Sequence, residues 1–218
     1  MTSALFDENA YLFSLPGAPR GVIVDPGLEA DEIIAAVDVL GWTPAAILNT
    51  HGHADHIAGN AAMKERWPDC PLIIGAGDAK KLTDPVENLS AGFGYSILSP
   101  PADRLVREGE VLDLAGIRWT VFETPGHSIG HVVFVARELS PILVLGGDVL
   151  FAGGVGRTDI PDGDTRTLVT SIREKLFTLP DDAIVFPGHG PTTTIGHERR
   201  TNPFVGERAL QQKWPELS

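Results

Sequence analysis

Residues 50–56 read Thr-His-Gly-His-Ala-Asp-His, directly after the apolar run Ala45-Ala46-Ile47-Leu48. Three imidazoles and one carboxylate within residues 51–56 restrict this chain more than any other feature. Neutral imidazole is the commonest protein ligand for zinc, and a carboxylate adds an oxygen donor. On extended backbone, residues i and i+2 point the same way, so His51 and His53 can grip one ion together. Asp55 and His56 lie too far round the turn to complete that tetrahedron, and they are placed to start a second one. The string predicts the shared edge of a two-metal centre.

The remaining histidines are His127, His131, His189 and His197. His127 and His189 share a context: Thr124-Pro125-Gly126-His127 and Phe186-Pro187-Gly188-His189 each follow an apolar, β-branched run. Asp148 has the same grammar after Ile142-Leu143-Val144-Leu145-Gly146-Gly147. A buried strand that ends in Gly lets the chain turn sharply and points the next side chain over the sheet end. Open α/β sheets place their ligands at such carboxyl ends. Four strands are therefore expected to bring His51, His53, Asp55, His56, His127, Asp148 and His189 to one rim. His131 lies inside a strand pattern and His197 in a charged stretch, so both read as structural or surface residues. Asp25, before Pro26-Gly27, reads equally as a turn former or as a partner that orients a ligand histidine.

With these residues in this order the chain resembles the metallo-β-lactamase superfamily, over nearly all of its 218 residues. Asp148 is similar to the aspartate that bridges both metals in the glyoxalase II branch. The resemblance implies an α/β fold, an αββα sandwich of two central mixed β-sheets flanked by helices. It assigns His51, His53 and His127 to one metal and Asp55, His56 and His189 to the other, with Asp148 on both. The implied cofactor is two divalent ions, zinc first, with iron or manganese as alternatives. Gly153-Gly154-Val155-Gly156-Arg157-Thr158-Asp159 and Pro187-Gly188-His189-Gly190-Pro191 look like the short glyoxalase II-like hydrolases. Those lack the helical domain that binds glutathione in the full-length enzymes. Residues 1–218 are accordingly expected to form one metallo-hydrolase domain without that addition. In the resembling enzymes a basic side chain near Arg157 meets a substrate carboxylate, which makes Arg157 the expected substrate contact.

Composition narrows the partners. A net charge of −12, from 17 Lys plus Arg against 29 Asp plus Glu, argues against nucleic acid and anionic membranes, which both need a basic surface. No apolar stretch approaches the roughly 20 residues that span a bilayer. The first residues carry Asp7 and Glu8 and no early Lys or Arg, unlike a secretory signal, so the expected location is the cytoplasm. Cys70 is the single cysteine; it permits no internal disulfide and reads as a packing residue.

Strand and helix patterns alternate. Residues 11–15, 21–24, 72–74, 131–136, 142–145 and 183–186 read as strands, and 111–114 with 117–123 as a hairpin about Ala115-Gly116. Residues 29–40 carry Ile33, Ile34, Val37 and Leu40 at helical spacing with Gly41 as the stop. A second helix opens from the histidine string and ends near Trp67-Pro68. A third covers 165–178, and Asn202-Pro203 marks a helix start for the tail. Residues 89–101 read as a loop bordering the site. The two similar strand-Pro-Gly-His endings suggest an internally duplicated sandwich.

A two-metal site makes hydroxide from water near neutral pH and polarises a carbonyl, with Asp55 expected as the catalytic group that orients the nucleophile. A thiolate, of conjugate pKa roughly 8.5, leaves without protonation, whereas an amide nitrogen needs an acid. The expected substrate is therefore a small thioester or related ester, an S-acylglutathione type by resemblance, and lactones are near neighbours. The alternative is an oxidoreductase: Gly156-Arg157-Thr158-Asp159 and Glu174-Lys175-Leu176-Phe177 also look like the persulfide dioxygenase branch, which holds a single iron. Gly126-His127-Ser128-Ile129-Gly130 matches a serine-nucleophile elbow, but a strand pattern follows Ser128 where the elbow needs a helix.

Overall fold

A computed structural model describes residues 1–207 and Ala209. The chain opens with β1 (Tyr11–Ser14) and β2 (Arg20–Val24), then α1 (Ala30–Leu40), β3 (Thr43–Asn49), α2 (Ala54–Ile57), α3 (Asn60–Arg66), β4 (Leu72–Gly75) and β5 (Arg104–Val106). There follow β6 (Val111–Leu114), β7 (Ile117–Glu123), β8 (Val132–Ala136), β9 (Leu143–Gly147), and the short β10 (Leu150–Phe151) and β11 (Gly154–Val155). The last elements are α4 (Thr165–Glu174), β12 (Ile184–Pro187), β13 (Thr193–Thr194) and α5 (Ile195–Thr201). One sheet has the order β1-β2-β3-β4-β5 and the other β13-β12-β9-β8-β7-β6. Both are mixed: β1 runs antiparallel to its neighbour in a sheet otherwise parallel, and β12 runs parallel to β9 in a sheet otherwise antiparallel.

Strand periodicity explains the layers. Successive side chains on a strand face opposite sides, and the central strands are apolar on both. Val22, Val24, Ala46 and Leu48 share an inner core with Trp119, Val121, Phe134 and Leu145 of the other sheet. The intervening Ile23 and Ile47 belong to an outer core with Ile33, Val37 and Met63 of the helices α1 and α3. On the far side Val133, Val135, Val144 and Val185 pack with Leu168 and Ile172 of α4 and Ile195 of α5. This is the αββα sandwich, with one half of the sequence in each sheet. Each fully buried Val, Leu or Phe contributes about 1.5–3 kcal/mol.

The helix ends follow local chemistry. Gly41 closes α1 in the left-handed conformation, its N–H returning to the Val37 carbonyl, and Asp164 caps α4 by accepting from the Thr167 N–H at 2.6 Å. One helix expectation needs correction. The helix after the histidine string is broken between α2 and α3, because Gly59 donates its N–H to the Pro26 carbonyl and leaves no room there for a side chain. At the tail, Asn202 closes α5, and its side chain accepts the N–H groups of Phe204 and Val205. The helix expected from Asn202-Pro203 falls largely outside the described residues. No helix among the described residues is long and apolar enough to cross a membrane.

Candidate metal centre

The carboxyl ends of β3, β9 and β12, with the turn before β8, meet at one rim of the sandwich. His51 follows β3; His53 has extended backbone (φ −71°, ψ 152°) and opens α2, whose first turn carries Asp55 and His56. Two glycines let the other strand ends approach. Gly147 has φ +47°, and a side chain on it would collide with Thr50. A side chain at Gly188 would strike the Asp148 carboxylate and the His56 ring. These residues are glycine because the ligand-bearing loops fill the space.

The structure brings all seven expected groups together. Donor atoms of His51, His53 and His127 lie within 4.8 Å of one another, as do those of Asp55, His56 and His189, and those of His51, His56 and Asp148. Asp148 stands between the first two sets: its Oδ2 is 3.5 Å from His127 Nε2 and 3.5 Å from His189 Nε2, and its Oδ1 is 3.5 Å from His56 Nε2. His51 and His56 are fully buried, whereas the side chains of His189 and Asp55 are 26% and 22% exposed.

Hydrogen bonds outside the cluster set the tautomers. The Thr50 hydroxyl donates to Asp25 at 2.7 Å, so toward His51 Nδ1, 3.1 Å away, it can only accept. The His51 proton is therefore on Nδ1, and Nε2 turns a lone pair inward. His127 repeats the arrangement by donating from Nδ1 to the Arg157 carbonyl at 2.8 Å. Asp25 accepts the Thr50 N–H and stands 3.2 Å from His56 Nδ1, a charge contact that faces this ring without a hydrogen bond.

The same network leaves inward atoms without partners. His51 Nε2, His53 Nε2, His56 Nε2 and Asp148 Oδ1 are buried and make no hydrogen bond within the protein, while His53 Nδ1 and His127 Nε2 face each other at 3.0 Å. Buried polar atoms are normally satisfied. Buried lone pairs that converge here and are left unmatched fit a bound cation.

Protonation differs across the cluster. Burial pushes His51 and His53 well below the ordinary imidazole range, helped by neighbouring imidazoles. Burial opposes protonation of His56 too, but Asp148, Asp55 and Asp25 outweigh it and raise this ring. His189 is raised in the same way by Asp55 and Asp148 against its burial. Burial would raise the Asp55 carboxyl; His56 and His189 beside it reverse that and hold it below the usual carboxylate range.

Four supports were not evident from the sequence. Asn9 donates through its side chain to the carbonyls of Pro187 and Gly190 and through its N–H to that of Gly188, pinning the His189 loop from 178 residues away. Glu8 is buried beside the cluster; burial, reinforced by Asp25, Asp55 and Asp148 and opposed by His56, pushes its carboxyl up to about 9. Asp78 accepts the N–H groups of Gly52 and Gly130 at 2.8 Å and the Ser128 hydroxyl, tying the His51–His53 loop to the His127 turn. Lys81 completes that brace by donating to Ser128 and Asp162 at 2.7 Å. Asp78 did carry a signal, since it follows Leu72–Gly75 in the same strand-glycine-acid order as Asp148. Of the histidines set aside, His197 is exposed, while His131 accepts the Asp148 N–H on Nε2 at 3.0 Å and so fixes that residue's backbone.

The cluster floors a cavity of about 770 Å³ reached from solvent. The loop after Asn88 forms one wall and Phe6, Phe151 and Ile160 contribute to the others. Arg157 lines it too, but its guanidinium is forked onto Asp159 at 2.8 and 3.0 Å. Ser128 is fully buried behind the cluster, and β8 rather than a helix follows it, so no nucleophile elbow forms.

Known proteins share this arrangement of sequence and fold. Hydroxyacylglutathione hydrolase GloC of Haemophilus influenzae is 38% identical over 193 residues, covering 87% of this chain and 89% of that protein. Among solved structures, BLEG-1 B3 metallo-beta-lactamase superposes with a TM-score of 0.88 at 37% identity, covering 93% of this chain and 96% of that one. TTHA1623, solved in a di-iron-bound form, gives 0.81 at 39% identity, covering 94% and 98%. The family model described as the metallo-beta-lactamase superfamily matches residues 5–189, which takes in every residue of the cluster. This chain belongs to the metallo-beta-lactamase superfamily.

Proposed function

We propose that this protein is a two-metal hydrolase of thioesters or related esters, with His51, His53 and His127 holding one divalent ion, Asp55, His56 and His189 the other, and Asp148 both. The observation that carries it is the position of Asp148, whose Oδ2 is equidistant, at 3.5 Å, from a histidine of each set. Bound there, the ions would lower the pKa of a water and polarise the substrate carbonyl. Asp55, held ionised by its histidines, accepts a hydrogen bond from the attacking water and orients it. His51 and His127 are fixed in ligand tautomers by Thr50 and by the Arg157 carbonyl, so little reorganisation is needed.

The lining favours a good leaving group. Outside the cluster, the titratable side chains of the described lining are Tyr95 and Arg157, and both are exposed. Neither is positioned by a neighbour to protonate a departing amide nitrogen, whereas a thiolate needs no proton. GloC, as a hydroxyacylglutathione hydrolase, supports the same reading.

Metal analysis of protein purified without chelator, followed by assays with acyl thioesters and with glutathione persulfide, tests this. The expected result is two metal equivalents, thioester cleavage (weak for S-lactoylglutathione) and no oxygen uptake. One equivalent of iron, with oxygen uptake and no thioester cleavage, would overturn the hydrolase reading in favour of dioxygenase chemistry.

A further inference from the structure

The wall of the cavity is chemically unlike its floor. Beside the His/Asp cluster the lining includes Val86, Leu89, Phe93 and Ile97, together with Phe151 of β10 and Val155 of β11. Phe93 is 66% exposed and Val86 70% exposed, which large apolar side chains at a cleft mouth seldom are unless something covers them. The rings of Phe93 and Phe6 meet edge to face at 6.2 Å, so two separate loops supply one aromatic edge. A cavity of about 770 Å³ is within the ordinary size for a small-molecule site.

Charge points the same way. Glutathione presents two carboxylates away from its sulfur, and carboxylates are held by guanidinium forks or ammonium groups. Among the described lining residues Arg157 is the one permanent cation, and both arms of its fork already lie on Asp159.

We infer that this site takes an apolar substrate: a thioester or ester whose scissile carbonyl is flanked by an aliphatic chain or an aromatic ring, packed on Phe93, Phe151 and Leu89, and not by a charged peptide such as glutathione. The inference rests on the hydrolase reading for its carbonyl but on the wall alone for its specificity.

Binding without turnover separates the two. The zinc-loaded protein is titrated calorimetrically with straight-chain carboxylates from acetate to octanoate, and with S-methylglutathione, whose blocked sulfur cannot ligate zinc as a thiolate. Affinity is expected to rise roughly two- to fourfold per methylene, the upper figure being that of full burial, with octanoate bound more tightly than S-methylglutathione. Phe93→Ser, a change at an exposed position, should lower the octanoate-to-acetate ratio at least about fivefold. A flat series, an unchanged ratio in the variant, or tighter binding of S-methylglutathione overturns the inference. Hydrolysis is measured on the same preparation with the matching acyl thioesters. A steep binding series with no cleavage would break the hydrolase reading and leave the apolar site standing. Cleavage with a flat series would do the reverse.

Discussion

His51, His53 and His127 form a triad without a carboxylate of its own, buried at every member. Asp55, His56 and His189, a few ångströms away, include a carboxylate and two members partly open to solvent. In the first set His51 and His53 have their proton affinity suppressed, so these two present neutral lone pairs at pH 7. The second holds imidazoles that its carboxylates keep protonated above the ordinary range. A cation entering the first set displaces few protons; one entering the second must displace them. Neighbouring sites built from the same residue type can therefore differ in affinity and pH response through carboxylate placement alone.

Asp148 is where the two sets stop being separable, and removing it should have the largest effect. Asp148→Asn keeps the shape but removes the charge between the triads. Turnover should fall by at least about 10²–10³-fold, and metal content should drop more than for any other single ligand change. If the variant kept two metal equivalents and near-parental turnover, Asp148 would not be shared and the sets would be independent.

Acid should divide the two sets next. As pH falls from 7.5 toward 5.5, protons compete at His56 and His189, whose affinity for them is raised, while His51 and His53 stay neutral. One equivalent of metal should be lost first, with activity following it, and the second retained to lower pH. Equilibrium dialysis at stepped pH reads this directly. Simultaneous loss of both equivalents would mean that the charge difference does not govern occupancy.

The sets also differ in what lies behind them. Glu8 is buried near the second, and its carboxyl is pushed up from an ordinary 4.5 to about 9. A raised folded-state pKa contributes stability that is full below 4.5 and is lost as pH climbs toward 9. In metal-free protein, Glu8→Gln, which stays neutral throughout, should thus gain on the parent as pH rises from 5 to 9. Each kcal/mol should show as about 2–4 °C in Tm. A Tm difference independent of pH would mean that Glu8 is ionised in the folded chain.

Legibility in the sequence follows the range of the interactions. The strands of the inner core showed themselves because their apolar runs are local, and His127, Asp148 and His189 because each carries its own strand-glycine context. Asp25 stayed ambiguous, since a turn aspartate and a histidine-facing aspartate look alike until His56 is seen 3.2 Å away. Asn9 and Glu8 were invisible: Asn9's partners are at the far end of the chain, Glu8 is buried beside groups of other loops, and an acidic stretch near the start reads as solvated surface. The break between α2 and α3 was missed for the same reason, because the Pro26 carbonyl that causes it belongs to another loop.

The brace behind the first triad gives the smallest expected effect. Ser128 is fully buried, 2.7 Å from Lys81 Nζ and in contact with Asp78, so its hydroxyl ties loops together and cannot reach a substrate. Ser128→Ala leaves Lys81 its bond to Asp162 and leaves Asp78 its two backbone donors. The cost should be about 1–3 kcal/mol of stability, with turnover within roughly threefold of the parent and both metals in place. Parent and variant are compared by thermal melting, metal analysis and initial rates on one thioester. A loss of roughly 10³-fold with the metals still bound would make Ser128 the nucleophile, and the first triad would then have to be reread as the support of a serine hydrolase.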